Sequence, residues 1–212
     1  MKNVNWMSLC FILLTAAEVA GQPYEPLGRF VIDARGTLAR LKENPVLASS
    51  LEVAPSNLPT RALGLSAGFH WYPVRSRFVS FGLGGEVLVA RDSRTAEQTG
   101  ETVERPTVTT RLSSVSPHIS LNFGRRDGWS YISGGIGRAR LTAERDGGPS
   151  ADGAGRTRAL HYGGGARWFT GPHLAVSVDL RFYTVNERPA SAARPGFPRS
   201  RMMVISTGIS MR

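Results

Sequence analysis

The sequence predicts an all-β fold, an eight-stranded antiparallel up-and-down transmembrane β-barrel. Three observations carry this. Apolar and polar residues alternate with period two over segments of about ten residues or more, longer than the five or six usual in soluble strands. Within these segments a bulky apolar face opposes a small, glycine-rich and partly charged one. The connections alternate between short and long, as expected when one end of a barrel carries tight turns and the other extended loops.

The first residues set the compartment. Lys2 supplies a positive start, residues 6–17 (WMSLCFILLTAA) form an apolar run, and Val19-Ala20-Gly21 supplies small residues before Gln22. A run of about a dozen apolar residues suits the core of a secretory signal and is too short to span a bilayer as a helix. Residues 1–21 are therefore expected to be a signal peptide, 22–27 a short lead, and 28–212 the barrel domain, with the cell outer membrane as its destination. A retained membrane anchor is the alternative for 1–21. Cys10 is the only cysteine and lies in this segment. The exported chain then has no disulfide and no cysteine metal site.

The alternation is plainest in residues 77–92. There Val79, Phe81, Leu83, Val87 and Val89 fall on one face and Ser80, Gly82, Gly84, Glu86, Ala90 and Asp92 on the other, with Phe78 and Leu88 out of phase. Residues 60–73 set Leu63, Leu65, Ala67, Phe69 and Trp71 against Gly64, Ser66, Gly68 and His70. Residues 173–186 set Leu174, Val176, Val178, Leu180 and Phe182 against Ser177, Asp179, Arg181 and Tyr183. The remaining strands are predicted at 28–37, 108–124, 129–143, 157–169 and 201–212. A soluble up-and-down barrel would put its bulky apolar residues inside. The glycine-rich, charged second face suits instead the narrow polar lumen of a small membrane barrel.

Short turns are predicted at Val74-Arg75-Ser76, Arg125-Arg126-Asp127-Gly128 and Gly171-Pro172, and long connections at 38–59, 93–107, 144–156 and 187–200. The short turns are expected on the periplasmic side. Trp71, Trp129 and Trp168 all lie beside them, with Tyr72, Phe78, Phe123, Tyr131 and Phe169 close by. Aromatic residues of this kind gather at membrane–water interfaces, so these are read as a periplasmic girdle. Tyr183 and Phe182 are the candidates for the opposite one.

The net charge is +10. The arginines are scattered singly or in twos and no nucleic-acid motif accompanies them, so no nucleic-acid partner is expected. The segment Gly82-Leu83-Gly84-Gly85 precedes no helix and is not a phosphate cradle. No cofactor or metal is expected.

The chain resembles the eight-stranded outer-membrane β-barrel proteins and is similar to the transmembrane domain of OmpA and to OmpX. The resemblance runs from about residue 28 to the end. It rests on the segments YISGGIG (131–137), GGGAR (163–167), VDLRF (178–182) and ISTGIS (205–210), which are strand patterns and not catalytic motifs. It implies a monomeric barrel, inserted by the barrel-assembly machinery into a membrane of phospholipid and lipopolysaccharide. The chain departs from that family in ending Ser210-Met211-Arg212 and not in an aromatic residue, a difference that bears on assembly.

The charged residues predicted to face inward are Glu86, Arg138, Asp179 and Arg181, a lumen charge network at mid-to-outer height, together with Arg140, Arg167 and the histidines His70, His118 and His161. Such a network fills a narrow lumen and satisfies itself; the other reading is a gate or small-solute path. His118-Ile119-Ser120 resembles the His-x-Ser pair of outer-membrane lipid A deacylases. A spacing of two puts both side chains on one face, here the lumen face, away from lipid. The expectation is a non-enzymatic protein with a structural or surface-interaction role and long extracellular loops. A lipid A-modifying enzyme and a small solute channel are the alternatives.

Overall fold

The structure, a computed structural model, describes residues 28–76, 78–95, 107–125, 128–146, 150–152, 157–187 and 198–212. The expected signal peptide and the short lead lie outside the described residues.

Eight long strands close into a barrel: β1 (Phe30–Leu41), β2 (Arg61–Arg75), β3 (Val79–Thr95), β4 (Thr107–Arg125), β5 (Gly128–Arg145), β7 (Thr157–Phe169), β8 (Leu174–Val185) and β9 (Ser200–Met211). Each pairs antiparallel with its neighbours, and β1 pairing with β9 closes the ring. A short extra strand, β6 (Ser150–Asp152), adds to β5 beyond the end of β7. All eight predicted strands are present. β3, β4 and β5 run to 17, 19 and 18 residues, past their predicted ends, because β3 and β4 stay paired as far as Thr95 and Thr107, and β4 and β5 as far as Val108 and Arg145. The β2–β3 register shifts between Trp71 and Val74, around Pro73, which has no amide hydrogen for the ladder.

The alternation resolves inside out. Leu63, Leu65, Phe69, Val87, Val89, Ile119, Ile132, Ile136 and Val176 are exposed on the outer wall, while Ser66, His70, Glu86, Ser120, Ser177 and Asp179 are buried within. A wall of this kind is stable only against an apolar medium, since large contiguous apolar patches are rare on soluble monomers. The lumen is too narrow for side chains everywhere, and glycine makes the room. A Cβ on Gly84 would stand 2.7 Å from His118 Nε2, and one on Gly165 would stand 2.7 Å from the Tyr131 hydroxyl.

The lumen is polar for only part of its length. In the half toward the long connections it is apolar: Leu88, Ala90, Val108, Leu112, Leu141, Val185, Met202 and Val204 form one buried cluster. The first long connection covers this end. Its helix α1 (Pro45–Ser50) starts with Pro45 in the first turn, and the Asn44 side chain accepts from the Val46 and Leu47 amides at 3.1 and 3.2 Å. This cap and proline are a favourable helix start. Leu47, Ala48, Leu51 and Leu58 of the connection join the cluster. Arg145 of β5 holds the connection by donating to the Leu51 carbonyl at 3.4 Å and pairing with Glu52 at 3.3 Å. Leu88, out of phase with its strand's apolar face, points inward because this cluster receives it.

The aromatic girdle needs correction. Trp71 and Trp168 are exposed on the outer wall near the short turns, with Phe30, Phe78 and Phe123. Trp129 is buried in the lumen, with Val31, Tyr72, Tyr131 and Phe169 around it. Strand parity decides this: Trp129 and Tyr131 are out of step with outward Ile132 and Ile136. Tyr183 is likewise buried, while Phe182 is outward and stacks on Tyr162 at 5.6 Å.

Candidate functional site in the barrel lumen

The charged residues buried among the described ones are Asp33, Glu86 and Asp179 with Arg35, Arg167 and Arg181. Three carboxylates thus face three guanidiniums, and their formal charges cancel. Burying a lone charge would be prohibitive, and burying it hydrogen-bonded to its opposite is the arrangement that persists.

Asp33 on β1 is the hub nearer the short turns. Its Oδ2 lies 2.6 Å from Arg35 Nη2, 2.7 Å from Arg167 Nη2 and 2.7 Å from His70 Nε2. Its Oδ1 accepts from Arg167 Nε at 3.1 Å and from the Ser210 hydroxyl. The Arg167 guanidinium also sits 4.4 Å from the Tyr131 ring centroid and 5.9 Å from that of Trp129, so the inward aromatics serve as cation–π partners. His70 Nε2 lies 3.1 Å from Arg167 Nη2 as well, and His70 Nδ1 shares a hydrogen bond with His118 Nε2 at 3.3 Å.

The second cluster sits beside the first. Arg181 and Asp179, two residues apart on β8, point the same way and pair at 2.7 Å. Tyr131 donates its hydroxyl hydrogen to Asp179 at 2.5 Å. Glu86 on β3 accepts from Arg35 at 3.3 Å and from the Tyr183 hydroxyl at 3.0 Å, with Arg181 at 3.7 Å. Arg35 touches both Asp33 and Glu86 and so joins the two clusters into one network.

Of the residues predicted for this network, Glu86, Asp179 and Arg181 come together. Arg138 does not: it is exposed on the outer wall of β5, as is Arg140. Both share the parity of Ile132 and Ile136, so the strand's own apolar residues carried the signal. Arg167 and the three histidines point inward as predicted. Asp33 and Arg35 were not singled out. The alternation in FVIDARGTLARL places both out of phase with Phe30 and Ile32, which was the available signal.

His118 and Ser120 do share the lumen face, and both are buried. His118 Nε2 is committed to His70, and Ser120 accepts from Asn122 Nδ2 at 3.0 Å. No hydrogen bond joins Ser120 to His118 among the described residues. Among the described residues no group of three or more His, Cys, Asp or Glu side chains could hold a metal ion.

No protein-family model matches the chain, and no curated protein matches it in sequence. Solved structures do. Ail, the attachment invasion locus protein of Yersinia pestis, solved in complex with the heparin analogue sucrose octasulfate, aligns with 14% identity over 86% of this chain and 96% of its own, at a TM-score of 0.52. Neisserial surface protein A aligns with 11% identity over 87% of this chain and 97% of its own, at a TM-score of 0.51. Both are eight-stranded outer-membrane β-barrels, and theirs is the fold of this chain, a closed all-antiparallel up-and-down barrel.

Proposed function

We propose that this chain is an integral outer-membrane protein, exported by a signal peptide and inserted by the barrel-assembly machinery. On this reading it is a monomeric, non-catalytic scaffold that holds its long connections at the cell exterior, with a structural or surface-interaction role. The observation that carries this reading is the lumen. Its three acids and three arginines neutralise one another, and an apolar cluster covered by α1 lies toward the long-connection end. A solute path would need a continuous polar axis, and the apolar cluster interrupts it. A lipid-modifying enzyme would need its nucleophile at the outer wall, and Ser120 is inside. The apolar outer wall supports residence in a bilayer. Fold likeness by itself assigns no ligand to the connections.

Fractionation and conductance test this together. The protein should sediment with outer membranes, resist carbonate extraction, and give no steady conductance in planar bilayers. Recovery as a soluble periplasmic monomer would remove the membrane reading, and a steady ohmic current would replace the scaffold with a channel.

A further inference from the structure

The outer wall carries charges that the lumen network does not use. In the strand register Arg40 lies directly opposite Arg61, Arg91 opposite Arg111, and Arg138 opposite Arg158. All six are exposed and in phase with the outward apolar residues of their strands. Arg140 on β5 and Arg201 on β9, also exposed, extend the row. From β1 round to β7 each step to the next strand's arginine is a direct pairing or an offset of two residues. The arginines therefore form a belt at one level, and β8 alone among the eight strands adds none.

Two features make this belt a site. Like charges directly opposite on a sheet, with Cβ atoms about 4.5–5.5 Å apart, repel, and here that juxtaposition occurs three times in one row. None of the six side chains forms an ion pair among the described residues. Asp92, the acid beside Arg91, accepts instead from the Arg61 and Ser93 backbone amides. An oxyanion held between two guanidiniums removes the repulsion and takes bidentate hydrogen bonds from both.

The second feature is height. Arg40, Arg61 and Arg158 each lie ten residues along their strand from an outward aromatic residue, Phe30, Trp71 and Trp168 respectively. Ten residues at about 3.3 Å each, tilted by roughly 40°, rise about 25 Å, the height of the apolar band of a membrane barrel. The belt thus sits at the headgroup level of the leaflet on the long-connection side. Beside Arg138 and Arg158 an outward groove is lined by Val115, Pro117 and Ile136, an apolar bed for chains hanging from the anion.

We propose that the arginine belt binds the phosphate groups of a phosphorylated outer-leaflet glycolipid with the chemistry of lipid A, its acyl chains lying on the apolar wall below. The proposal rests on the reading of the long connections as external. Its test uses purified protein, so that a failure of binding and a failure of orientation, read separately by protease access in cells, are distinguishable.

The full chain, folded in detergent micelles, is titrated with diphosphorylated lipid A, with the same lipid enzymatically dephosphorylated, and with inorganic pyrophosphate, and bound lipid is counted by native mass spectrometry. The phosphorylated lipid should bind roughly tenfold or more tightly than its dephosphorylated form, from the attraction of several arginines to one anionic headgroup. The Arg138→Gln/Arg158→Gln pair, and each of the other two pairs likewise, should weaken it by about tenfold while the folded, heat-modifiable gel mobility is kept. If a Gln pair does not fold, the corresponding Lys pair replaces it and should lose a smaller, several-fold share, since charge is kept and the bidentate fork is lost. Equal binding of the two lipid forms, or unchanged binding by the variants, overturns the site. Pyrophosphate binding as tightly as lipid overturns the lipid as its occupant.

Discussion

Removing Asp33 should be the most damaging single change in the lumen, for a reason that can be worked from distances. Glu86→Ala strips a carboxylate from Arg35 and Arg181, but each keeps another, Asp33 at 2.6 Å and Asp179 at 2.7 Å. Asp33→Ala is different. Arg167 is 0% exposed, and Asp33 is its sole carboxylate partner among the described residues. The charge would be left against aromatic rings, a hydroxyl and an imidazole. Removing one partner of a buried pair costs about 3–5 kcal/mol, so Glu86→Ala belongs near the lower end and Asp33→Ala at the upper. With a urea dependence of about 2 kcal/mol per M, Asp33→Ala should lower the unfolding midpoint in detergent by on the order of 2 M. The loss should shrink in an Arg167→Met background, because the stranded charge is then gone as well. Gel mobility of the folded and unfolded forms reads the transition directly. An Asp33→Ala effect smaller than that of Glu86→Ala, or additivity of Asp33→Ala with Arg167→Met, would refute the assignment of Asp33 as the hub.

Glu86→Ala should couple to Arg35→Ala and Arg181→Ala in double-mutant cycles and be additive with Arg138→Ala, which lies on the opposite side of the wall; coupling to Arg138 would mean that β5 is in the other phase. In single-tryptophan variants, brominated lipid should quench Trp71 and Trp168 and spare Trp129, and quenching of Trp129 would put that ring back in the girdle. Ser120→Ala should leave lipid A acylation in cells unchanged by mass spectrometry, and a change would restore the enzyme reading. Protease added to intact cells should cut within 93–107 or 144–156 and spare 74–76 and 125–128, and the reverse pattern would invert the barrel.

The strands were legible because each repeats one physical demand, lipid on one side and a narrow lumen on the other, over ten or more residues. The two faces of residues 60–73 and 173–186 needed no long-range information. What lay beyond the alternation was the interior's change of character along its axis. Leu88 looked like a flaw in β3, but it marks the level at which the lumen turns apolar. That level is set by Leu47, Leu51 and Leu58, some thirty to forty residues away on the connection after β1. Nothing local to 77–92 reports them. The helix itself has a local signal, Asn44 followed by Pro45, at its cap and first turn.

Partner choice within the lumen was hidden for a different reason: it depends on which strands face each other across the barrel, and neighbouring strands alone do not give that. Asp33 and Arg167 meet across the lumen from β1 and β7, a pairing that only closure creates. The misplacement of Arg138 has another origin. Its charge alone would suit the lumen. Parity with Ile132 and Ile136 says outward, and the strand obeys parity, because turning one residue in would turn every neighbour out. An arginine is tolerated on the outer wall when it stands where the apolar band ends and its long side chain can reach the headgroups. Arg138 stands at that level, opposite Arg158. The same parity assigns Arg40, Arg61, Arg91 and Arg111 to the outer wall. The surplus positive charge of the chain is thus carried in part by the surface facing the membrane's edge, while the acids and arginines buried among the described residues sum to zero.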